Sequence, residues 1–134
     1  LERANGDPAL ATWFHRAAVS RDPSHANAWT NLGVSLLERG RIEAAQEAFR
    51  TSLKLRPGHA DALLALGMSL LLQGRFEEGL AAYEHRRSSR SAGITPAPSG
   101  PEWGGGDPQG LRLLLICEQG LGDALHFVRY AALL

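Results

Sequence analysis

The sequence is poor in cysteine, has no net charge and has no long apolar run, and these absences argue against several large classes of protein. It holds a single cysteine, Cys117, in 134 residues, so it cannot form an internal disulfide and suits a reducing compartment. The 14 Lys and Arg residues balance the 14 Asp and Glu residues, so no overall positive field favours nucleic acid. No apolar run reaches the roughly 18 residues that a membrane-spanning helix needs. We therefore expect a cytoplasmic protein with no nucleic-acid partner and no membrane span.

The chain also begins without a methionine or a recognisable leader. It starts Leu1-Glu2-Arg3, and a secretory leader would show a charged stretch followed by an apolar one. We therefore expect the natural N-terminus, with any targeting signal on it, to lie upstream.

A period of 34 residues organises the first ninety positions. "NAWTNLGVSLLERGRIEAAQEAFRTSLKLRPGHA" from Asn27 aligns with "DALLALGMSLLLQGRFEEGLAAYEHRR" from Asp61. The matched pairs are Leu32 and Leu66, Gly33 and Gly67, Leu36 and Leu70, Gly40 and Gly74, and Phe49 and Tyr83. The same shift places Pro57 on Pro23 and His59 on His25, which adds half a repeat at the N-terminus. This pattern resembles the tetratricopeptide repeat, a helix-turn-helix unit of 34 residues.

The resemblance implies an all-α fold for residues 1–89, a solenoid of about 2.5 helical hairpins. The spacing agrees, since Trp29, Leu32 and Leu36 fall on one face of a helix. Gly33 predicts a close approach of the paired helix, because it carries no Cβ. About three repeats are usually needed for independent stability, so the apolar end of the first helix is expected to be exposed or to stack on another copy. Self-association through the repeat ends is one predicted interaction.

The first helix of each repeat should line a concave surface that binds a peptide. The predicted lining residues are Asn27, Thr30, Asn31, Val34 and Leu37 in one repeat and Asp61, Leu64, Met68 and Leu71 in the next. The repeat region resembles the arrays of O-linked N-acetylglucosamine transferases, in which an asparagine at the position of Asn31 grips peptide backbone. Ala65 occupies that position in the next repeat, and the alternative for Asn31 is a solvated polar residue on a helix. We expect a protein or peptide partner in this groove.

Helical patterning ends after "YEHRR". Residues 90–110 are rich in Ser, Pro and Gly and read as a linker, because such a segment buries little surface and breaks helices and strands. Its single aromatic residue, Trp103, is expected to dock on a neighbouring domain, and the alternative is simple exposure.

The last segment, residues 111–134, has a different pattern. "LRLLLIC" predicts a strand covered on both faces in a parallel sheet, and since the chain holds no second strand candidate, the rest of the sheet is expected beyond residue 134. "EQGLGD" and an amphipathic helix follow, as in the opening βα unit of a Rossmann-like domain. Leu125 stands where a dinucleotide fingerprint has its third glycine, and Asp123 would repel a phosphate. We therefore predict no cofactor in this fragment.

The string "PEWGGGDPQGLRLLLICEQGLGDALHFVRYAALL" resembles the junction in bacterial proteins where tetratricopeptide repeats run into a GT-B-type glycosyltransferase domain related to lipopolysaccharide heptosyltransferases. The resemblance implies a nucleotide-sugar donor for the full-length parent and a general-base role for Asp123 at an acceptor hydroxyl. The alternative for Asp123 is a helix N-cap. The resemblance also implies an acceptor loop at Glu118, Gln119, Gly120 and Gly122. The five histidines have no metal-ligand spacing, so no metal site is predicted.

Two functions from different classes fit these patterns, and a third is related to the first. One is the peptide-binding region of a repeat-bearing glycosyltransferase, with a fragment that is not catalytically competent alone. Another is a stand-alone adaptor or scaffold with no enzymatic activity. The third is a non-enzymatic regulator that keeps a degenerate transferase domain.

Overall fold

A computed structural model of the chain describes residues 8–89 and 100–116. The chain divides into two compact units between Ala92 and Gly93. Within residues 8–89, the described part of the first unit, lie five α-helices and a short 3₁₀ helix: α1 (Pro8–Arg21), α2 (Ala26–Glu38), α3 (Ile42–Leu55), α4 (Ala60–Leu72), α5 (Phe76–Tyr83) and the 3₁₀ helix Glu84–Ser88. The described residues contain no β-strand, and none of their helices combines the length and apolar character needed to cross a membrane.

The helices repeat with the period seen in the sequence. α2 and α4 begin at residues 26 and 60, while α1, α3 and α5 begin at residues 8, 42 and 76, so each begins 34 residues after its equivalent. α2 packs on α3 and α4 packs on α5 as two hairpins, and α1 packs on α2 as the second helix of a preceding repeat. The predicted helical-hairpin repeat is therefore confirmed in the described residues.

A glycine closes the turn of each hairpin. After α2, the Gly40 N–H donates to the Leu37 carbonyl and the Arg41 N–H donates to the Leu36 carbonyl, both at 2.9 Å. Gly40 has a φ of +69°, and the equivalent Gly74 after α4 has a φ of +76°. These bonds occupy carbonyls that the helix end leaves unpaired, and glycine adopts the left-handed backbone with little strain. The glycine thus sets where the first helix of each repeat ends.

The best-buried part of the core lies where α2 packs on α3. The Phe49 ring is fully buried, and a Cβ built on Gly33 would lie 2.3 Å from its Cε1 atom. In the second hairpin a Cβ on Gly67 would lie 2.7 Å from the backbone nitrogen of Tyr83. The close approach predicted at Gly33 is therefore observed, and it recurs at Gly67. The other buried members of this core are Val19, Ala28, Leu32, Leu36, Ala45 and Ala48.

His15 occupies in α1 the position that Phe49 and Tyr83 occupy in α3 and α5. Its Nδ1 lies 2.7 Å from the Ser35 hydroxyl, which itself donates to the Asn31 carbonyl at 3.1 Å. The half repeat therefore joins α2 by a hydrogen bond at the position where the complete repeats use an aromatic ring.

Both ends of the helical stack expose apolar side chains. At α1 these are Leu10, Trp13 and Phe14, and at the other end they are Leu72, Phe76 and Leu80. The expected exposure of the first helix is observed. Self-association through these ends stays a prediction.

Residues 100–116, the described part of the second unit, form turns and irregular backbone. The Leu111 N–H donates to the Pro108 carbonyl at 2.9 Å, and Gly110 has a φ of +79°. Leu114 is 72% exposed, and Ile116 is exposed as well. A strand needs a neighbour to pair its N–H and C=O groups, and the described residues contain no other strand. Residues 111–116 therefore do not form the predicted strand, and 117–134, with the rest of the predicted Rossmann-like βα unit, lie outside the described residues.

The described part of the predicted linker is held by local bonds. The indole N–H of Trp103 donates to the Gly106 carbonyl at 3.1 Å, and the Gln109 N–H donates to the Asp107 carboxylate at 3.0 Å. Docking of Trp103 on a neighbouring domain stays a prediction, since its observed hydrogen bond lies within its own segment.

Replacement of Gly33 or Gly67 by alanine should destabilise the helical unit by about 1–3 kcal/mol, because the new methyl group overlaps the Phe49 ring or the Tyr83 backbone. Urea unfolding followed by far-UV circular dichroism measures the change. Gly58→Ala is the control, since no atom lies within 4 Å of a Cβ there, and it should shift the unfolding free energy by less than about 0.5 kcal/mol. Equal effects of all three variants would contradict the close-packing interpretation.

Candidate functional site

Seven of the nine groove residues predicted from the sequence lie together between α2 and α4, whereas Leu37 and Leu71 do not line this surface. We call this surface the inner groove, a cavity of about 420 Å³ lined by Asn27, Thr30, Asn31, Val34, His59, Asp61, Leu64, Ala65 and Met68. Four lining residues of α2, at positions 27, 30, 31 and 34, are equivalent to four of α4, at positions 61, 64, 65 and 68. Such a spacing puts the four residues of each helix on one stripe, so two equivalent stripes face one cavity.

The lining residues differ in how accessible they are. Val34 and Met68 are 39% and 48% exposed, and Asn27 and Asn31 are exposed as well. Thr30 is buried, and its hydroxyl lies 2.9 Å from the Ser52 hydroxyl on α3. Leu64 is also buried and forms part of the wall. The surface open to a ligand therefore combines two amide side chains with two flexible or branched apolar ones.

His59 is the groove residue that the sequence reasoning missed. It precedes α4 as His25 precedes α2, and the sequence marks both only as equivalent turn positions. In the structure the His25 Nδ1 accepts from the Ala28 N–H at 3.1 Å and caps α2, whereas the His59 Nε2–H donates to Asn27 Oδ1 at 2.8 Å. One feature of the sequence could have indicated this role. Asn27 is a polar residue at the α2 position equivalent to Asp61, and it provides the buried His59 with a hydrogen-bond partner across the groove.

Burial determines the protonation of His59. Desolvation of the imidazole lowers its pKa, the positive charge of Arg56 lowers the pKa further, and the carboxylate of Asp61 opposes both. The neutral ring therefore predominates at neutral pH, with Nε2–H as the donor to Asn27. This bond fixes the Asn27 side chain at the edge of the inner groove.

Asp61 is held from the other side of the groove. The hydroxyl of Ser89, just after the 3₁₀ helix, donates to Asp61 Oδ1. Ser89 is buried, and the 3₁₀ helix packs against α4. The segment that ends the helical unit thus positions a carboxylate of the groove.

A second cavity adjoins the inner groove at Asn31. It has a volume of about 400 Å³ and is lined by His15, Ala18, Arg21, Asp22, His25, Ala28 and Asn31. Hydrogen bonds from the Ser24 hydroxyl and the Ser24 N–H lower the pKa of Asp22 and keep it ionised at neutral pH. Asn31 therefore lies at the junction of two cavities on the surface formed by α1, α2 and α4.

The arrangement suits recognition of a peptide backbone. Amide side chains offer both a donor and an acceptor to a peptide group, and apolar neighbours such as Val34 and Met68 can cover an apolar side chain of a ligand. In residues 8–89 and 100–116, no group of three or more His, Cys, Asp and Glu side chains is placed to hold a metal ion.

The predicted acceptor-loop residues Glu118, Gln119, Gly120 and Gly122 and the predicted base Asp123 lie outside the described residues. Their roles stay predictions.

Comparison with known proteins agrees with the repeat architecture. The family model described as "Cilia and flagella-associated protein 70 middle TPR-like domain" matches residues 2–100, where TPR denotes the tetratricopeptide repeat. Among solved structures, "MamA MSR-1 C2" is similar with 28% identity and a TM-score of 0.54, over 58% of this chain and 45% of that one. "MamA AMB-1 C2221" has 29% identity and a TM-score of 0.53, over 58% of this chain and 46% of that one. The chain thus spans less than half the length of these structures. No curated protein matches it.

Acidification should destabilise the helical unit through His59. Its pKa is lowered in the folded state, so the unfolded chain binds the proton more readily between the folded pKa and the ordinary value near 6.5. The stabilisation is complete above about pH 6.5 and is lost as the pH falls through the folded pKa. Thermal unfolding at a series of pH values should show this loss, and His59→Gln should reduce it. The exposed His85, replaced by Gln, is the control and should leave the pH profile unchanged; a profile insensitive to His59→Gln would contradict the assignment.

Proposed function

The chain belongs to the family of the cilia and flagella-associated protein 70 middle TPR-like domain, and we propose that it is a protein-interaction module whose inner groove binds a peptide segment of a partner protein. Stacked helical hairpins of this kind create extended concave surfaces that bind other proteins. The module acts by holding its partner, with no chemical step on the groove residues.

One observation carries the proposal: equivalent stripes of α2 and α4 converge on a single cavity, with exposed apolar and amide side chains side by side. Val34 and Met68 occupy the same position in successive repeats and are both accessible. An exposed apolar pair rimmed by polar groups is typical of an interaction surface. The partner segment would place an apolar side chain between these two residues.

Asn31 supports the same orientation of the ligand. Its side chain is exposed and lies where the inner groove meets the adjoining cavity. Within the described residues, its amide group forms no hydrogen bond. A peptide that runs from one cavity into the other would pass Asn31, and its backbone could pair with both the donor and the acceptor of that amide.

The experiment begins with peptides selected from a random library on the immobilised chain, whose affinities are then measured by fluorescence anisotropy. Val34→Glu should weaken binding at least about tenfold, because it buries an unpaired charge against the apolar part of the ligand. Asn31→Ala should weaken it by about tenfold through loss of backbone hydrogen bonds.

The matched control is Leu55→Glu. Leu55 is 42% exposed, close to the 39% of Val34, but it lies at the end of α3 and outside the inner groove. The control variant should bind selected peptides as the parent chain does. Peptides that bind Val34→Glu as tightly as the parent chain would show that they do not occupy the inner groove, and the proposal would fail.

We further propose that the repeats form part of a longer glycosyltransferase. This finer proposal rests on the resemblance of residues 101–134 to a junction with a GT-B-type domain. The exposure of Leu111, Leu114 and Ile116 supports it, because leaving such side chains in water forgoes about 2 kcal/mol each relative to burial. A neighbouring sheet in the parent would bury this run. In that parent, Asp123 would take the proton of the acceptor hydroxyl as the hydroxyl oxygen attacks C1 of the bound nucleotide-sugar, and the nucleotide would leave with the electrons of the broken C1–O bond.

Calorimetry separates this proposal from the alternatives. Nucleotide-sugars should give no saturable heat with the 134-residue chain, since the donor-binding half of a GT-B enzyme is not in this sequence. A parent read from the coding DNA beyond Leu134 should bind the donor, and Asp123→Asn should abolish transfer while leaving donor binding intact. Saturable binding to the 134-residue chain would overturn the fragment interpretation. A stop codon directly after Leu134 would instead favour the stand-alone adaptor, and a parent without a donor site would favour the degenerate regulator.

A further inference from the structure

A third cavity, distinct from the inner groove and from the cavity next to Asn31, collects positive charge at the contact of α1 with the turn between α2 and α3. It has a volume of about 280 Å³ and is lined by Ala9, Thr12, Trp13, Arg16, Leu36, Arg39 and Arg41. We call it the arginine pocket. Among the residues that the structure describes, it holds three guanidinium groups and no carboxylate. Arg39 ends α2 and Arg41 precedes α3, so a short turn presents two of the three charges.

These three arginines lack partners in the part of the chain that the structure describes. The ion pairs observed there are those of Arg75 with Glu78 and of Arg86 with Glu84. The Thr12 hydroxyl, which also lines the pocket, donates to the Pro8 carbonyl at 2.7 Å and so is directed to its own helix. Three like charges in one pocket repel one another unless an anion joins them.

The next repeat provides an internal comparison, because each lining residue has an equivalent 34 positions later. Arg16 and Arg41 correspond to Arg50 and Arg75, whereas Arg39 corresponds to Gln73. The equivalents of Ala9 and Trp13 are acidic residues, Glu43 and Glu47. Ala44 does not line the pocket but follows Arg41 closely in the sequence, and its equivalent is Glu78. The same corner of the second repeat therefore carries acidic residues where the first repeat has none.

In the second repeat these groups satisfy one another. Arg75 pairs with Glu78 at 2.5 Å, and Arg50 donates to Gln46 at 3.3 Å. Gln73 accepts from Gln46 at 2.8 Å and donates to Glu43 at 3.1 Å. The fold thus does not require unpaired arginines at this corner, since the second repeat forms the same backbone with nearly equal numbers of acidic and basic side chains. The charge of the arginine pocket is a property of the first repeat alone.

The arginine pocket and the cavity next to Asn31 lie on different faces of α1. Ala9, Thr12, Trp13 and Arg16 form one stripe at helical spacing, and they line the arginine pocket. His15 and Ala18, which line the cavity next to Asn31, lie on roughly the opposite side of the α1 axis at 100° per residue. The two sites share no lining residue and can be tested separately.

We propose that the arginine pocket binds an acidic segment of a partner protein through the carboxylates of its side chains. Guanidinium groups bind carboxylates in bidentate geometry, which gives both strength and orientation. Trp13 is 61% exposed at the rim and packs edge-on against Phe14 with the ring centroids 5.0 Å apart. Its indole covers the methylene part of a bound glutamate side chain. Arginine and tryptophan are the side chains most enriched at the energetic centres of protein interfaces.

The probe is a fluorescein-labelled hexaglutamate peptide, with hexaglutamine of the same length as its neutral counterpart. Anisotropy titrations with the whole chain should show saturable binding of hexaglutamate that weakens as NaCl is added, and no binding of hexaglutamine. Arg39→Gln should reduce the affinity for hexaglutamate by about tenfold, through loss of a charge-assisted contact. This variant introduces the residue that the second repeat has at the same position, so the fold should accept it, and circular dichroism checks that it does.

Arg50→Gln and Arg75→Gln are the matched controls, because they remove one positive charge each at the equivalent corner of the second repeat. They should change the affinity less than twofold. The proposal is overturned if hexaglutamate does not bind, or if the control variants lose as much affinity as Arg39→Gln, which would mark a response to net charge alone. Binding of the chain to phosphatidylserine vesicles with no binding of hexaglutamate would also overturn it and indicate a membrane surface instead. Val34→Glu should leave hexaglutamate binding unchanged. The inner-groove proposal and the arginine-pocket proposal can therefore fail independently, and the measurements show which of them has failed.

Discussion

The packing of a bare glycine against an aromatic ring holds the two-helix unit together. The Phe49 ring fills the space that a Cβ on Gly33 would need, and the backbone near Tyr83 does the same at Gly67. This contact lets the helices of a hairpin approach closely, and it sets the position of each first helix relative to its neighbour. Because α2 and α4 are placed in this way, their exposed stripes converge on one cavity. The inner groove therefore depends on residues that do not line it.

Repetition of the backbone with variation of the side chains explains how a short array acquires two different surfaces. At the inner groove equivalent positions of both repeats line one cavity, with the apolar Val34 and Met68 at the same position. At the corner next to α1 they diverge, since Arg39 replaces the glutamine found at position 73 and the acidic residues are missing. The backbone is held by glycines, turns and buried aliphatic residues in both places. Exposed positions are free to differ because the fold does not depend on them.

Much of this architecture could be predicted from the sequence, since local patterns carry it. The glycine that ends each first helix requires a left-handed backbone, and the apolar spacing predicts which face is buried. Seven of the nine predicted groove residues line the observed cavity, whereas Leu37 and Leu71 do not, and Thr30 directs its hydroxyl to Ser52 rather than to a ligand. The strand predicted over residues 111–116 is not formed, because an apolar run becomes a strand only with a partner to share its hydrogen bonds.

The repeat, the helix ends and the stripe of residues that lines the groove follow from the sequence, because each depends on contacts within a few residues or on the 34-residue period. The tertiary structure sets which polar groups meet. It placed His59 against Asn27 and left His25 as a helix cap, although the two histidines hold equivalent positions. It also gathered Arg16 from α1 and Arg39 and Arg41 from the turn between α2 and α3 into one pocket. Such meetings depend on distances between helices that packing sets, and no local pattern in the sequence records them.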